Sequence, residues 1–363
     1  MTRGGGPQAR ASALVLVREA RGLTQTQVAE GMTGHLFASD GQRVSQGYVS
    51  RAEKGRLAVS GARLSLYAKA LGCVPELLCV EAKAGDVGVG LIHHRKKAAM
   101  SAPALRRVCA QLALARTHLD ALFDAVGTKA SGAGFTRPQF DATICPADAA
   151  AAVRELWGMP PGPAGDLIGL FEGAGGLVLA RDLGCNLLDV VSQWPSGAGP
   201  LLLADPCAPG EQLRYSIAHE LGHLVLHRVP GDGSIQEKQA DQFAAAFLMP
   251  SEDIQAELGN GLDLARLSAL KQRWRVSMRM LLRRAHSLGA ISEWRYRAIT
   301  MDMSALGFQL AEPGSLKIEG PRAVRSAIKH ALDHGMDTEE LARRTRLQPA
   351  ELLRDFGPAL RVV

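Results

Sequence analysis

The sequence predicts a mainly α-helical chain with one small β-sheet, an α+β architecture, and three observations support this. Residues 10–80 hold short segments in which apolar side chains recur every three or four positions. Residues 166–206 hold brief apolar runs broken by glycine and proline, and beyond Pro250 the helical spacing returns and continues to 363. A chain of 363 residues has room for two or three separate cores.

The first module spans 10–80 and reads as short helices: "ASALVLVREARG", "TQTQVAEGM", "VSQGYVSRAEKG" and "ARLSLYAKALG", with turn residues between them. The second and third have the order of a helix-turn-helix, in which the later helix lies in the DNA major groove with its first side chains at base edges. That helix carries Gln46, Tyr48, Ser50 and Arg51 on its early turns, and Gln25 opens the helix before it, in reach of phosphate. Glutamine pairs with adenine at two points, so Gln46 is the expected base reader. The turn is lengthened by "TGHLFASDGQ", residues 33–42. A helical interaction module of the same fold is the plainer alternative.

A helical connector is expected over 81–147, containing "ALRRVCAQLALARTHLDALFDAVG" and the basic run "HHRKK" at 93–97, which reads as a solvated charge run. An alanine-rich helix over 148–160 follows and ends at "MPPGP". "DLIGLFEGAGGLVLARDL", "NLLDVVSQW" and "GPLLLADP" then read as short strands and turns. They lead into the apolar helix "YSIAHELGHLVLH", 215–227, and a second helix, "QEKQADQFAAAFLMP", so 148–255 forms one domain. A basic helical region, 256–311, and a small helical module, 312–363, complete the chain. The last module contains a helix-turn-helix-like segment whose balanced charges suit a packing cap.

The bulk numbers narrow the function. A formal charge of +6 and a pI near 9.1 permit an anionic partner such as DNA without demanding one. Six cysteines (Cys73, Cys79, Cys109, Cys145, Cys185, Cys207) form no CxxC pair, which speaks against a thiolate zinc site or a disulfide framework. No apolar run reaches the length of a membrane span, and the N-terminal residues lack a secretory apolar core. The expectation is a cytoplasmic protein with no membrane partner.

The chemistry lies in 215–250. Residues four apart on a helix stack on one face, so His219 and His223 can offer imidazole nitrogens to one ion, with Glu220 beside it. Zinc suits such ligands and needs at least one more from the protein. Glu237 and Asp241, one turn apart on the following helix, both qualify. His227 is set aside, because on a continuous helix it would rise about 12 Å beyond His219. These residue types fit amide hydrolysis: a Lewis acid to polarise the carbonyl, and Glu220 to move a proton from water to the leaving amine.

"LRYSIAHELGHLVLH" followed by "EKQADQFAAAFLMP" resembles the ImmA/IrrE metallopeptidase family, zinc-dependent enzymes that cleave XRE-type repressor proteins. The resemblance runs over about 165–310. It implies a zincin-like fold, zinc bound by His219, His223 and Glu237, Glu220 as general base, and Asp241 orienting a ligand from behind. "LTQ", "VSQGYVSRAEKG" and "LYAKALGCVPELL" resemble the XRE family, which implies a five-helix lambda-repressor-like domain. Such modules bind double-stranded DNA, usually as homodimers. Together they imply a DNA-binding regulator with a zinc endopeptidase domain whose protein substrate is a repressor or antitoxin. The alternative is a regulator whose peptidase-like domain senses a ligand without hydrolysis.

Residues 266–297 carry nine cationic side chains (Arg266, Lys271, Arg273, Arg275, Arg279, Arg283, Arg284, Arg295, Arg297) against one acid, Glu293. Three readings stay open: a second DNA-facing surface, a docking face for an acidic partner, or arginines lying over a helical core and paired elsewhere.

Overall fold

In a computed structural model the described residues are 7–35, 43–81, 100–127, 135–141, 143–184, 188–195, 197–229, 231–259, 261–317 and 319–360. Residues 36–42 of the lengthened turn, the run 93–97 and Cys185 lie outside them.

Four α-helices, α1 (Ala11–Ala20), α2 (Gln25–Gly34), α3 (Gln46–Glu53) and α4 (Gly61–Leu71), and a 3-10 turn at Pro75–Cys79 form the N-terminal domain. Local chemistry sets the helix starts. Thr24 and Gln27 make a reciprocal capping box at α2, and the Ser45 hydroxyl accepts from the Tyr48 amide at α3. Leu14, Val17, Val28, Met32, Val49 and Tyr67 close the core. At its edge Arg18 and Gln25 both donate to Glu53, which ties α1, α2 and α3 together.

The stretch expected to be a connector contains a 24-residue helix, α5 (Ala102–Ala125), that is buried along much of its length. Its Ala110 and Leu114 belong to the N-terminal core, while Leu112, Leu119 and Leu122 belong to a second core behind the sheet. After α6 (Pro146–Leu156), the segment "DLIGLFEG", expected to be strand and turn, is instead a helix, α7 (Leu167–Gly173). Asp166 caps it, and the buried Leu167, Ile168 and Phe171 have helical rather than alternating spacing.

Strands β1 (Leu177–Ala180), β2 (Val190–Gln193) and β3 (Leu201–Ala204) form the sheet in the order β1-β3-β2, with β1 parallel and β2 antiparallel to β3. Both faces are covered, which explains the unbroken apolar runs. Leu177, Leu179, Val191, Leu201 and Leu203 point to the α5 side, while Val178, Val190, Leu202 and Ala204 point to the opposite core.

That opposite core is built on α8 (Gly210–Leu226) and α9 (Gly233–Leu248). Gly222 permits their close approach: a Cβ there would lie 3.2 Å from the Ala240 Cα and the Phe243 side chain. The chain continues through α10 (Ser251–Ile254), α11 (Leu264–Trp274), α12 (Met278–Ser287) and α13 (Glu293–Ala305), then α14 (Ala323–Asp333), α15 (Thr338–Thr345) and α16 (Pro349–Leu360). α14 and α15 pack on α5, and α16 packs on α14 and α15. The buried His118 on α5 donates from Nδ1 to the Thr345 carbonyl at 2.8 Å, and burial pushes its pKa down to about 4, so the ring is neutral. The C-terminal helix-turn-helix-like piece is thus a packing cap, tied to the first domain by an Arg21–Glu351 ion pair.

Most of the cationic stretch 266–297 has a partner within the fold, buried or at the surface. Lys271 is fully buried and bonds Glu211 at 2.6 Å and Glu312 at 3.1 Å, and Glu312 also accepts from the Met278 and Arg279 amides at the start of α12. Arg275 pairs with Glu319, Arg273 with Glu257 and Arg297 with Glu293. Arg284 and Arg295 donate to the Met249 and Leu262 carbonyls.

Candidate metal centre and nucleic-acid interface

α8 and α9 lie antiparallel across Gly222, which brings Glu237 over the histidines. His219, His223 and Glu237 each offer one ligand atom, and these lie within 4.8 Å of one another. The Nε2 atoms of the two histidines are 3.1 Å apart, and Glu237 oxygens lie 3.3 Å from His223 Nε2 and 3.7 Å from His219 Nε2. Bonds of about 2 Å to a tetrahedral ion separate ligands by roughly 3.3 Å, so the three spacings suit zinc. Two imidazole nitrogens this close, with a carboxylate facing them, make a donor set whose lone pairs converge on one point.

The hydrogen-bond pattern assigns tautomers that leave both Nε2 lone pairs aimed there. His219 Nδ1 donates to Asp241 Oδ1 at 2.9 Å, and Asp241 also accepts from Tyr215 at 3.0 Å. On the other side Gln239 Oε1 lies 3.0 Å from His227 Nε2, and His227 Nδ1 lies 3.0 Å from His223 Nδ1. If His227 donates to Gln239, its Nδ1 can only accept, and His223 must carry its proton on Nδ1. α8 ends at Leu226, so His227 turns back from an extended residue instead of continuing upward. It is not in the ligand cluster and acts behind His223. His227→Ala should lower zinc affinity roughly 10- to 100-fold by freeing the His223 ring, as a competition titration with a chromogenic chelator would read.

Charge follows from burial. Burial, assisted by neighbouring His219 and His227 and opposed by Glu237, lowers the His223 pKa to about 4 and keeps the ring neutral. For His219, burial also pulls down, but Asp241 and the nearby carboxylates outweigh it and the net shift is upward. Glu220 is 2 % exposed, and burial raises its carboxyl to about 7 against the pull of His219 and Ser192. Its Oε2 has no hydrogen-bond partner among the described residues. A carboxylate held near neutrality beside a ligand cluster has the affinity a proton shuttle needs.

Sequence reasoning missed Ser192, Gln239 and the role of His227. Ser192 sits at the middle of β2, where strand alternation places it among buried positions next to α8; a polar residue in "VVSQW" was the available signal.

In the first domain Gln46 and Arg51 are exposed, whereas Tyr48 and Ser50 are half-buried. The Gln46 amide donates to Gln25 at 2.6 Å, and Gln25 in turn donates to Glu53 at 2.8 Å, so the glutamine that opens α3 is held from behind. Tyr48 lies under the Arg63 guanidinium, 5.6 Å from its ring centre.

Comparison with known families places both units. Residues 171–286 match the family described as the IrrE N-terminal-like domain, a peptidase family, and residues 16–78 match the helix-turn-helix family. No curated protein matches the chain. No helix among the described residues is long and apolar enough to cross a membrane.

Proposed function

From a chain that joins an XRE-type helix-turn-helix DNA-binding domain to an ImmA/IrrE-type peptidase-family domain, we propose a zinc-dependent endopeptidase that cleaves a repressor or antitoxin protein in a stress or mobile-element response. The observation that carries this reading is the buried Glu220 carboxyl beside the His219, His223 and Glu237 cluster. A domain that only sensed a ligand would have no use for a buried acid that binds no metal in this scheme.

When bound, zinc supplies a Lewis acid that polarises the scissile carbonyl and acidifies a water. Glu220 accepts the water's proton and delivers it to the leaving amine. Asp241 and the His227–Gln239 pair hold the two imidazoles in the tautomer that presents Nε2. The shared core around α8 and α9 excludes bulk water from one side. Metal content per chain by elemental mass spectrometry, for wild type and Glu237→Ala in parallel, tests the site. About one zinc per chain in wild type and its loss in the variant are expected; a wild type that takes up no zinc would leave a DNA-bound sensor as the better account.

The DNA-binding half would act from an operator, in the cytoplasm, with a homodimer as the expected form. Gln46→Ala and Arg51→Ala should each weaken operator binding by about 1–3 kcal/mol, with Gln46→Ala also relaxing base preference at its position. Unchanged affinities in both would move base reading off α3. Tethering to DNA would raise the concentration of the peptidase beside an operator-bound substrate.

A further inference from the structure

A cavity of about 490 Å³ opens beside the metal centre, lined among others by Tyr215 and Asp241, the two residues bonded behind His219. Its other walls are α9 and α12. Lys238 from the first and Arg279 and Arg283 from the second are exposed and line it, and the half-buried Met280 adds apolar surface to the lining. Arg279 and Arg283 are four residues apart on one helix, hence stacked one turn apart on the same face. Among the described residues neither arginine nor Lys238 has an ion-pair partner, in contrast to the committed cations of the same region. Arg283 and Tyr215 line the same cavity, and the arginine's charge opposes the burial that raises the Tyr215 phenol pKa.

The cationic stretch is therefore not a uniform surface. Of its cations without an ion-pair partner among the described residues, Arg284 and Arg295 donate to carbonyls and Arg266 lies elsewhere, while Arg279 and Arg283 line a concave site that includes Met280, where an extended phosphate backbone has less to follow than a short acidic, apolar segment does. Methionine adapts to varied apolar side chains, and paired arginines suit carboxylates in fixed positions.

Resting on the peptidase reading above, we infer that this groove docks the protein substrate through an acidic segment, seating an apolar side chain on Met280 and two carboxylates on Arg279 and Arg283. Selection of the substrate then lies partly in charge complementarity outside the reacting bond.

The test measures binding in a full-length chain that does not turn over, the Glu220→Gln variant. Two fluorescein-labelled peptides are compared by anisotropy: one with two glutamates a helical turn apart flanking a leucine, the other with glutamines in their place. The acidic peptide should bind roughly tenfold tighter or better, and the advantage should vanish in Arg279→Glu/Arg283→Glu but survive in Arg297→Glu, which alters an exposed arginine paired on α13. Equal binding of the two peptides, or an advantage untouched by the double reversal, overturns the inference. So does a double variant that keeps the peptide preference but loses retention of a duplex lacking the operator, since the groove would then face nucleic acid. Absence of hydrolysis by wild-type protein would instead count against the peptidase reading and leave this binding result to stand or fall by itself.

Discussion

Glu220→Gln is expected to retain zinc at the wild-type level while hydrolysis of the protein substrate falls by roughly 10²- to 10⁴-fold, the range a positioned general base contributes. Glutamine fills the same volume and cannot accept the proton. It also does not have to be buried as an ion, and Glu220 is 2 % exposed with one oxygen lacking a hydrogen-bond partner among the described residues. The variant should thus be at least as stable as wild type, and an activity loss could not be assigned to unfolding. Stability retained or gained as activity is lost is the pattern of a residue kept for chemistry. Elemental analysis, thermal denaturation and substrate cleavage followed by mass spectrometry read the three quantities. Cleavage near the wild-type rate would remove Glu220 as the base, and loss of zinc would mean that it belongs to the ligand set.

Lys271→Met should destabilise the protein by about 3–5 kcal/mol, because it removes the cation between the buried Glu211 and the half-buried Glu312. Lys271 is fully buried, with Glu211 and Glu312 on its ammonium, so methionine fits the space but leaves both acids without their cation. The triple variant Lys271→Met, Glu211→Gln, Glu312→Gln should recover most of the loss, since glutamine still accepts from the Met278 and Arg279 amides that Glu312 serves. Urea denaturation followed by tryptophan fluorescence would show it, with Trp274 buried three residues along α11. A loss below about 1 kcal/mol for the single variant would mean that the acids find other compensation.

The site was legible in the sequence where its geometry is local. His219, Glu220 and His223 lie within two turns of one helix, and Glu237 falls on the next helix after a short turn, so spacing alone made all four candidates. What was hidden depends on contacts between distant segments. His227 was placed by extrapolating a helix that ends one residue earlier, and its pairing with Gln239 follows from how α8 meets α9. Ser192 reaches the site only because β2 is the edge of the sheet beside α8. The Leu167, Ile168 and Phe171 pattern is too short to separate a helix from a strand, and its capping aspartate was overlooked beside the following glycines. The cationic stretch could not be read at all from composition, since the partners of Lys271, Arg273 and Arg275 lie at Glu211, Glu257, Glu312 and Glu319.

The 24-residue α5 makes the two family-matched domains inseparable as a unit of genetic exchange. Its Ala110 and Leu114 complete the core around Leu14 and Val17, while Leu112 and Leu119 of the same helix back the sheet that lies against the candidate metal centre. A recombination breakpoint between the two matched families, placed at the apparent linker, would strip apolar surface from whichever half lost the helix. Under the proposed function, new pairings of operator and substrate would have to arise by changing side chains on the surface of α3 or of the cationic groove, with the whole chain inherited as one piece.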